Sequence, residues 1–294
     1  MRVTNSMMIT NLKRDLSTNM RTLEKYQNML ASVQKIRKPS DDPVAVINTL
    51  RYSSTIMEAE EYLGKIDEAK NFLNTTDSAL GNITDILQRA NELTIQGLNG
   101  TNSEASREAI AKEVRQLADQ IGVIANTTYG SKHVFAGTNV TEAPFTGSSW
   151  IGNDRVMELE IGAGVKIPVN SVMGKFFYNE DADEPGLFQL LNGIADHLET
   201  GDTTALQKDL GLVQERLDQC NSERAIVGAK VNRLELQQNR LETTRTNYTE
   251  LLSKNQDADM AEVIMDLKMQ ENVYRASLAA GARIILPSLA DFLR

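Results

Sequence analysis

The chain has 294 residues, 41% apolar but only 5% aromatic, a composition that suits long helices laid side by side better than a thick globular interior. Its formal charge of -9 gives no basic footprint for nucleic acid, and its single cysteine, Cys220, excludes an internal disulfide framework and a cysteine-cluster metal site. No segment approaches the roughly 20 apolar residues of a membrane span, and the opening MRVTNSMMITNLKRDL has no apolar run of signal-peptide length. The expectation is no membrane insertion and a chain that stays in the cytosol or leaves without a cleaved signal peptide.

The first predicted element covers residues 1-38. Ile9, Leu16, Leu23 and Leu30 share one heptad position, and Leu12, Asn19, Tyr26 and Val33 the other, a coiled-coil seam with one polar interruption. The stretch KPSDDPVAV follows. Its adjacent carboxylates, Asp41 and Asp42, would point about 100 degrees apart on a helix and make a poor metal site. A mechanical reading fits better: Pro39 stops the preceding helix, Ser40 or Asp42 caps the next one, and Pro43 occupies its first position. Pro39, Ser40, Asp41, Asp42 and Pro43 therefore form a joint.

From Ile47 to about Leu98 apolar residues return every three or four positions (Ile56, Leu63, Ile66, Leu73, Leu80, Leu87), until Gly97 and Gly100 stop the helix. A second helix is predicted from Thr101, with Glu104 at the capping-box spacing and Ile110, Val114, Leu117, Ile121 and Ile124 as its buried stripe. Residues 131-185 then change character. Met157, Leu159 and Ile161 alternate with Glu158 and Glu160, Gly162-Ala163-Gly164 turns the chain, and Val165, Ile167 and Val169 answer, a β-hairpin with Lys166 facing Glu158 or Glu160 and Pro168 on an edge. Pro185-Gly186 closes the insertion, and Leu187 to Leu198 reads as a short amphipathic helix.

Thr203 to Leu252 carries the strongest periodicity. Leu206, Val213, Cys220, Val227, Leu234, Leu241 and Tyr248 hold one heptad position, which makes Cys220 a buried hydrophobe, and the helix is predicted antiparallel to the one beginning near Ile47. The last element, 257-294, places Met260, Leu267, Tyr274 and Gly281 at one position and Ile264, Glu271, Leu278 and Ile285 at the other; Pro287 ends or kinks it before Leu289, Phe292 and Leu293.

The two ends carry opposite charge. Arg2, Lys13, Arg14, Arg21, Lys25 and Lys35 outnumber Asp15 and Glu24 in the first, and Asp257, Asp259, Glu262, Asp266 and Glu271 outnumber Lys268 in the second, so antiparallel pairing with charge contacts is expected. A two-helix pair buries its residues only partly, and Met7, Met8, Met20, Met29, Met265 and Met269 beside the seam would stay exposed, which points to further neighbours from other molecules and to ends that order on assembly. The predicted assembly interface is Ile9, Leu12, Leu16, Leu23, Leu30, Val33, Ile264, Leu267, Tyr274, Leu278, Ile285, Leu289 and Phe292. The fold class is mainly α: a long antiparallel helical rod or coiled coil with paired terminal helices and a small β-rich insertion. Its expected segments are 1-38, 39-130, 131-185, 186-256 and 257-294.

Motifs for chemistry are missing: no P-loop, no His-Glu-x-x-His, no Gly-x-Ser-x-Gly and no EF-hand loop. His133 and His197 lie far apart in different elements. No catalytic residue, metal or cofactor is expected, and an enzyme using His133 and Asp154 in the insertion is the remotest reading.

MRVTNSMM, KPSDDPVAV, IANTTYGSKHVFAGTNVTEAPF at 124-145 and the closing ARIILPSLADFLR together resemble the flagellin-like hook-filament junction proteins, the hook-associated protein 3 family. The resemblance runs end to end apart from roughly 146-185. Flagellins, the near relatives, resemble one another in an Ala-Asp-Asp-Ala joint where this chain has Pro-Ser-Asp-Asp-Pro, and they lack a counterpart of VFAGTNVTEAPF. The resemblance implies a structural subunit of the bacterial flagellum, exported through the flagellar channel and forming a homo-oligomer ring. It implies the first hook-associated protein, flagellin and a flagellar export chaperone as partners. A flagellin proper, or a cytosolic coiled-coil scaffold, are the alternatives.

Overall fold

The structure, a computed structural model, describes residues 5-100, 102-147, 149-179 and 184-290, with backbone alone for 5-6 and 283-290. In chain order it contains α1 (Asn5–Ser32), α2 (Pro43–Leu98), α3 (Glu104–Ala125), β1 (Thr128–Tyr129), β2 (Lys132–His133), β3 (Glu158–Gly162), β4 (Val165–Pro168), α4 (Gly174–Phe177), α5 (Leu187–Thr200), α6 (Thr203–Gln256) and α7 (Met260–Ala290). The chain is mainly helical, with two small antiparallel hairpins, β1-β2 and β3-β4. It divides into two compact units, Glu58–Thr244 and Met1–Met57 with Arg245–Arg294, and α2 and α6 contribute to both.

In the unit Glu58–Thr244, periodicity and burial coincide. Ile66, Leu73, Leu80, Ile83 and Leu87 of α2 and Leu206, Val213, Cys220, Val227 and Leu234 of α6 are buried, each set spaced by three, four or seven residues as a helix face requires. Polar residues of α6 find partners on α2: Arg224 Nε donates to Asp77 Oδ1 at 3.0 Å, and Lys70 Nζ donates to Gln238 Oε1 at 3.1 Å. Both pairings run antiparallel, as the heptads predict. Cys220 lies between Thr84 Oγ1 (3.5 Å) and the Leu80 carbonyl (3.4 Å), and burial pushes its thiol pKa up.

The short helices pack on that pair. Ile110, Val114 and Ile121 of α3 and Leu187, Leu191, Ile194 and Leu198 of α5 join the same core. Ser103, not Thr101, caps α3, its side chain accepting from Ser106 N–H; Thr101 lies outside the described residues. Gly97 is more than a stop signal, because a Cβ there would collide with Leu198 Cδ2 of α5. Phe145 stacks flat on Phe188, ring centroids 3.9 Å apart, across Gly122, where a Cβ would come 2.9 Å from Phe145 Cε1.

The β3-β4 hairpin has the predicted strands and turn. Glu158 faces Pro168, Leu159 faces Ile167 and Glu160 faces Lys166. Lys166 pairs with Glu158 at 3.6 Å, whereas Glu160 Oε1 accepts the turn amide of Gly164 at 3.1 Å. β1-β2 and α4 carry no periodicity at two to four residues and were not foreseen.

Candidate assembly surface and joint

In the unit formed by the two ends, α1 and α7 lie antiparallel. Leu12, Leu16, Leu23, Tyr26 and Leu30 of α1 are half-buried, and Leu12 meets Gly281 of α7, where an added Cβ would lie 2.7 Å from its Cδ2. Leu267 and Gly281 are buried and Met260 and Tyr274 half-buried, so the first predicted α7 line faces α1.

The second line is displaced by one residue. Val263 is buried and Gln270 and Ser277 face α1, while Ile264 and Leu278 are 46% and 45% exposed. Spacings of three and four are both helical neighbours, so periodicity alone leaves either choice open, and apolarity favoured Ile264 and Leu278. Asn19 decides it: its Nδ2 donates to Ser277 Oγ at 3.1 Å, and its backbone carbonyl accepts from Gln270 Nε2 at 3.2 Å. A half-buried amide needs polar partners, and these two residues supply them.

Two further expectations change. α1 ends at Ser32 rather than at Pro39, because Val33 adopts a φ of 60° and leaves the helix, so Val33 is not part of a continuous helical seam and is 47% exposed. The chain turns there to pair with the α6-α7 link: Ala258 N–H donates to Val33 O (3.0 Å) and Lys35 N–H to Gln256 O (2.8 Å). The expected charge contacts between the ends are also not made, since among the described residues no ion pair joins α1 to α7. Asp266 instead accepts from the Tyr26 hydroxyl, whose pKa is raised by burial first and then by this bond, and Asp259 caps α7 through Ala261 and Glu262 N–H. The ends are helical and pair antiparallel within one chain, as their seams predict. Ile9 is 37% exposed; the side chains of Ile285 and Leu289, and Phe292 altogether, lie outside the described residues.

At the joint the two acids separate. Asp42 Oδ1 accepts from Val44 and Ala45 N–H, both at 3.0 Å, capping α2 with Pro43 as its first residue. Asp41 Oδ2 turns the other way and accepts from Arg37 and Lys38 N–H at 3.2 and 3.0 Å, which holds its carboxyl below the usual range. Pro39 and Ser40 are exposed. Asn255, which the sequence did not single out, fastens α6 to α2: its Nδ2 donates to Ala45 O at 2.7 Å and to Thr49 Oγ1 at 2.9 Å. An isolated asparagine inside a long helix carries no signal of such a partner.

Exposed apolar residues concentrate on this unit. Met7, Met20, Val44, Ile47, Leu50, Met57, Met265 and Met269 are each more than half exposed, and Met29 half-buried. His133 Nδ1 contacts Asn126 O, His197 Nδ1 contacts Asp209 Oδ2, and among the described residues no three metal-ligating side chains converge. Among the described residues no helix is long and apolar enough to cross a membrane.

Two family models match the chain, bacterial flagellin N-terminal helical region over residues 3–140 and bacterial flagellin C-terminal helical region over 210–286, together well over half its length. The chain belongs to the flagellin family. It is 24% identical to flagellar hook-associated protein 3 of Escherichia coli K12, over 95% of this chain and 96% of that protein. It is 26% identical to a flagellin of Bacillus subtilis, over 96% of each. Among solved structures, FlgL of Xanthomonas campestris superposes with a TM-score of 0.60 at 16% identity, over 69% of this chain and 99% of that one. FlgL of Bacillus cereus superposes at 0.58 and 21%, over 69% and 97%. Both share the mainly helical fold.

Proposed function

We propose that this flagellin-family chain is a structural subunit of the bacterial flagellum that joins the hook-side junction to the flagellin filament, acting by assembly rather than turnover. The observation that carries this reading is the terminal helix pair. It is held by a thin seam around Asn19, Ser277 and Gly281, and its outward side keeps Met7, Met20, Met265 and Met269 in water. A soluble monomer seldom leaves so much apolar surface on one unit without a partner to cover it. The end-to-end match to hook-associated protein 3, together with the joint KPSDDPVAV and the segment VFAGTNVTEAPF, supports the junction role over that of a filament flagellin.

On this reading segments 1-38 and 257-294 are the assembly helices, and Ile9, Leu12, Leu16, Leu23, Leu30, Ile264, Leu267, Tyr274 and Leu278 carry packing between or within subunits. Export proceeds without a cleaved signal peptide, aided by a flagellar export chaperone. A homo-oligomer ring sits between the first hook-associated protein and flagellin. Deleting the gene tests it: a junction subunit leaves full-length, unpolymerised flagellin in the medium, whereas loss of a filament flagellin removes that protein from the medium altogether. Normal filaments after deletion would refute both.

A further inference from the structure

Asparagine followed by glycine occurs twice in the chain, at Asn99-Gly100 and Asn192-Gly193. The pair carries a latent reaction. The glycine nitrogen can close a five-membered ring on the asparagine side-chain carbon Cγ, and no glycine Cβ hinders the approach. Whether the ring closes depends on how firmly the fold holds the two reacting groups apart.

At Asn192 both groups are held. Asn192 Nδ2 donates to Phe188 O at 2.9 Å, and Gly193 lies inside α5, where the helical backbone is fixed and its N–H belongs to the ladder. At Asn99 both are loose. α2 ends at Leu98, and Asn99 and Gly100 are exposed. Only the Asn99 backbone is engaged: its N–H donates to Gln96 O at 3.2 Å, and its carbonyl accepts from Asn102 N–H at 3.1 Å. Among the described residues neither the Asn99 side chain nor the Gly100 N–H makes a hydrogen bond. The space beside Gly100 is open, since a Cβ there would meet nothing within 4 Å.

We infer that Asn99 is a site of spontaneous deamidation, with water as the co-reactant. The Gly100 nitrogen attacks Asn99 Cγ, and the new C–N bond closes a cyclic imide. The side-chain nitrogen leaves as ammonia, with the proton that the Gly100 amide gives up. Water then opens the imide at either carbonyl, leaving aspartate or isoaspartate. Each conversion consumes one water and releases one ammonia, with no change of oxidation state. Loss of the amide proton starts the reaction, so it quickens as pH rises.

The product alters the α2-α3 link twice over. A carboxylate now stands at the C-terminal end of α2, the negative end of the helix, where cations are favoured. In isoaspartate the chain runs through the former side chain, and the carbonyl that accepted from Asn102 becomes a free carboxylate. Asn102 O is the acceptor for Arg107 Nη1 at 3.0 Å, so the disturbance passes into the start of α3.

The test incubates the full chain at mildly alkaline pH in heavy-oxygen water, with peptide mass spectrometry that separates aspartate from isoaspartate. Asn99 should convert to both products, each carrying heavy oxygen, while Asn192 keeps its amide. In denaturant Asn192 should convert as well, because the fold alone protects it. Gly100→Val fits the open space and should suppress conversion at Asn99 with no loss of thermal midpoint, its branched side chain hindering ring closure. Amides at the start of α3 should exchange faster in the aged chain than in the fresh one. An intact Asn99, or Asn192 converting as fast as Asn99 in the folded chain, overturns the inference. Undiminished conversion in Gly100→Val overturns the imide route, and an amide kept at Asn192 in denaturant overturns the protection assigned to α5.

Discussion

Gly281 of α7 lies so close to Leu12 of α1 that an added methyl group would meet the leucine's Cδ2 at 2.7 Å. Glycine inside a helix costs about 1 kcal/mol relative to alanine, and here it permits the close approach of the terminal pair. Gly281→Ala sets that gain against a shift of the flexible leucine end, so the change should be small in either direction. Gly281→Leu cannot be absorbed and should cost about 1 to 3 kcal/mol, the usual range for overpacking. Hydrogen exchange checks it: amides of α1 should lose protection while the core amides of Glu58–Thr244 keep theirs.

Asn19 sets the register of the same pair through Ser277 and Gln270. Asn19→Ala should weaken the seam by about 0.5 to 1.5 kcal/mol, the net worth of a typical hydrogen bond. Asn19→Leu adds apolar contact but removes the polar reader, so α1 should become able to slide. Distances between spin labels on α1 and α7 should broaden in Asn19→Leu and stay narrow in the wild type.

Val33 holds a φ of 60°, a left-handed conformation that strains a β-branched residue by about 1 to 3 kcal/mol, maintained by the backbone bonds to 256-258. Val33→Gly relieves the strain at the position where helices favour glycine. It should raise the thermal midpoint of the terminal unit, and an unchanged or lower midpoint would show that the valine side chain contributes contacts of its own.

The two joint acids should separate by mutation and by pH. Asp42→Ala removes the α2 cap and should cost about 0.5 to 2 kcal/mol, with faster exchange at Val44 and Ala45, whereas Asp42→Asn should be nearly silent. Asp41 has its pKa lowered in the fold, so its contribution is present above the ordinary carboxylate range and is lost as pH falls below it. NMR titration should show the Arg37 and Lys38 amides moving together at acid pH, and Asp41→Asn should abolish that step.

Cys220 should resist thiol reagents in the native protein, because burial removes access and raises its pKa, which keeps the thiolate scarce. Labelling should follow unfolding of Glu58–Thr244. Rapid labelling of the native chain would place that part of α6 in water.

The heptads of α6, the apolar spacing of α2, the hairpin around Gly162-Ala163-Gly164 and the cap at Asp42 were all legible in the sequence, because each is set by contacts within one element or by backbone preferences of a few residues. The α7 seam was only half legible. Leu267 and Tyr274 stand out by period, but the choice between Val263, Gln270 and Ser277 and their neighbours one position on depends on Asn19, about 250 residues away. Tertiary structure also placed the end of α1 at Ser32 and gave Asn255 its partners on α2, and it turned Asp259 to a helix cap, Asp266 to Tyr26 and Glu271 to Lys268 instead of to the α1 cations. Composition fixed that complementary charges exist at the two ends. Where a charge points is set by helix phase and by what packs beneath it, and those are decided only when the elements meet.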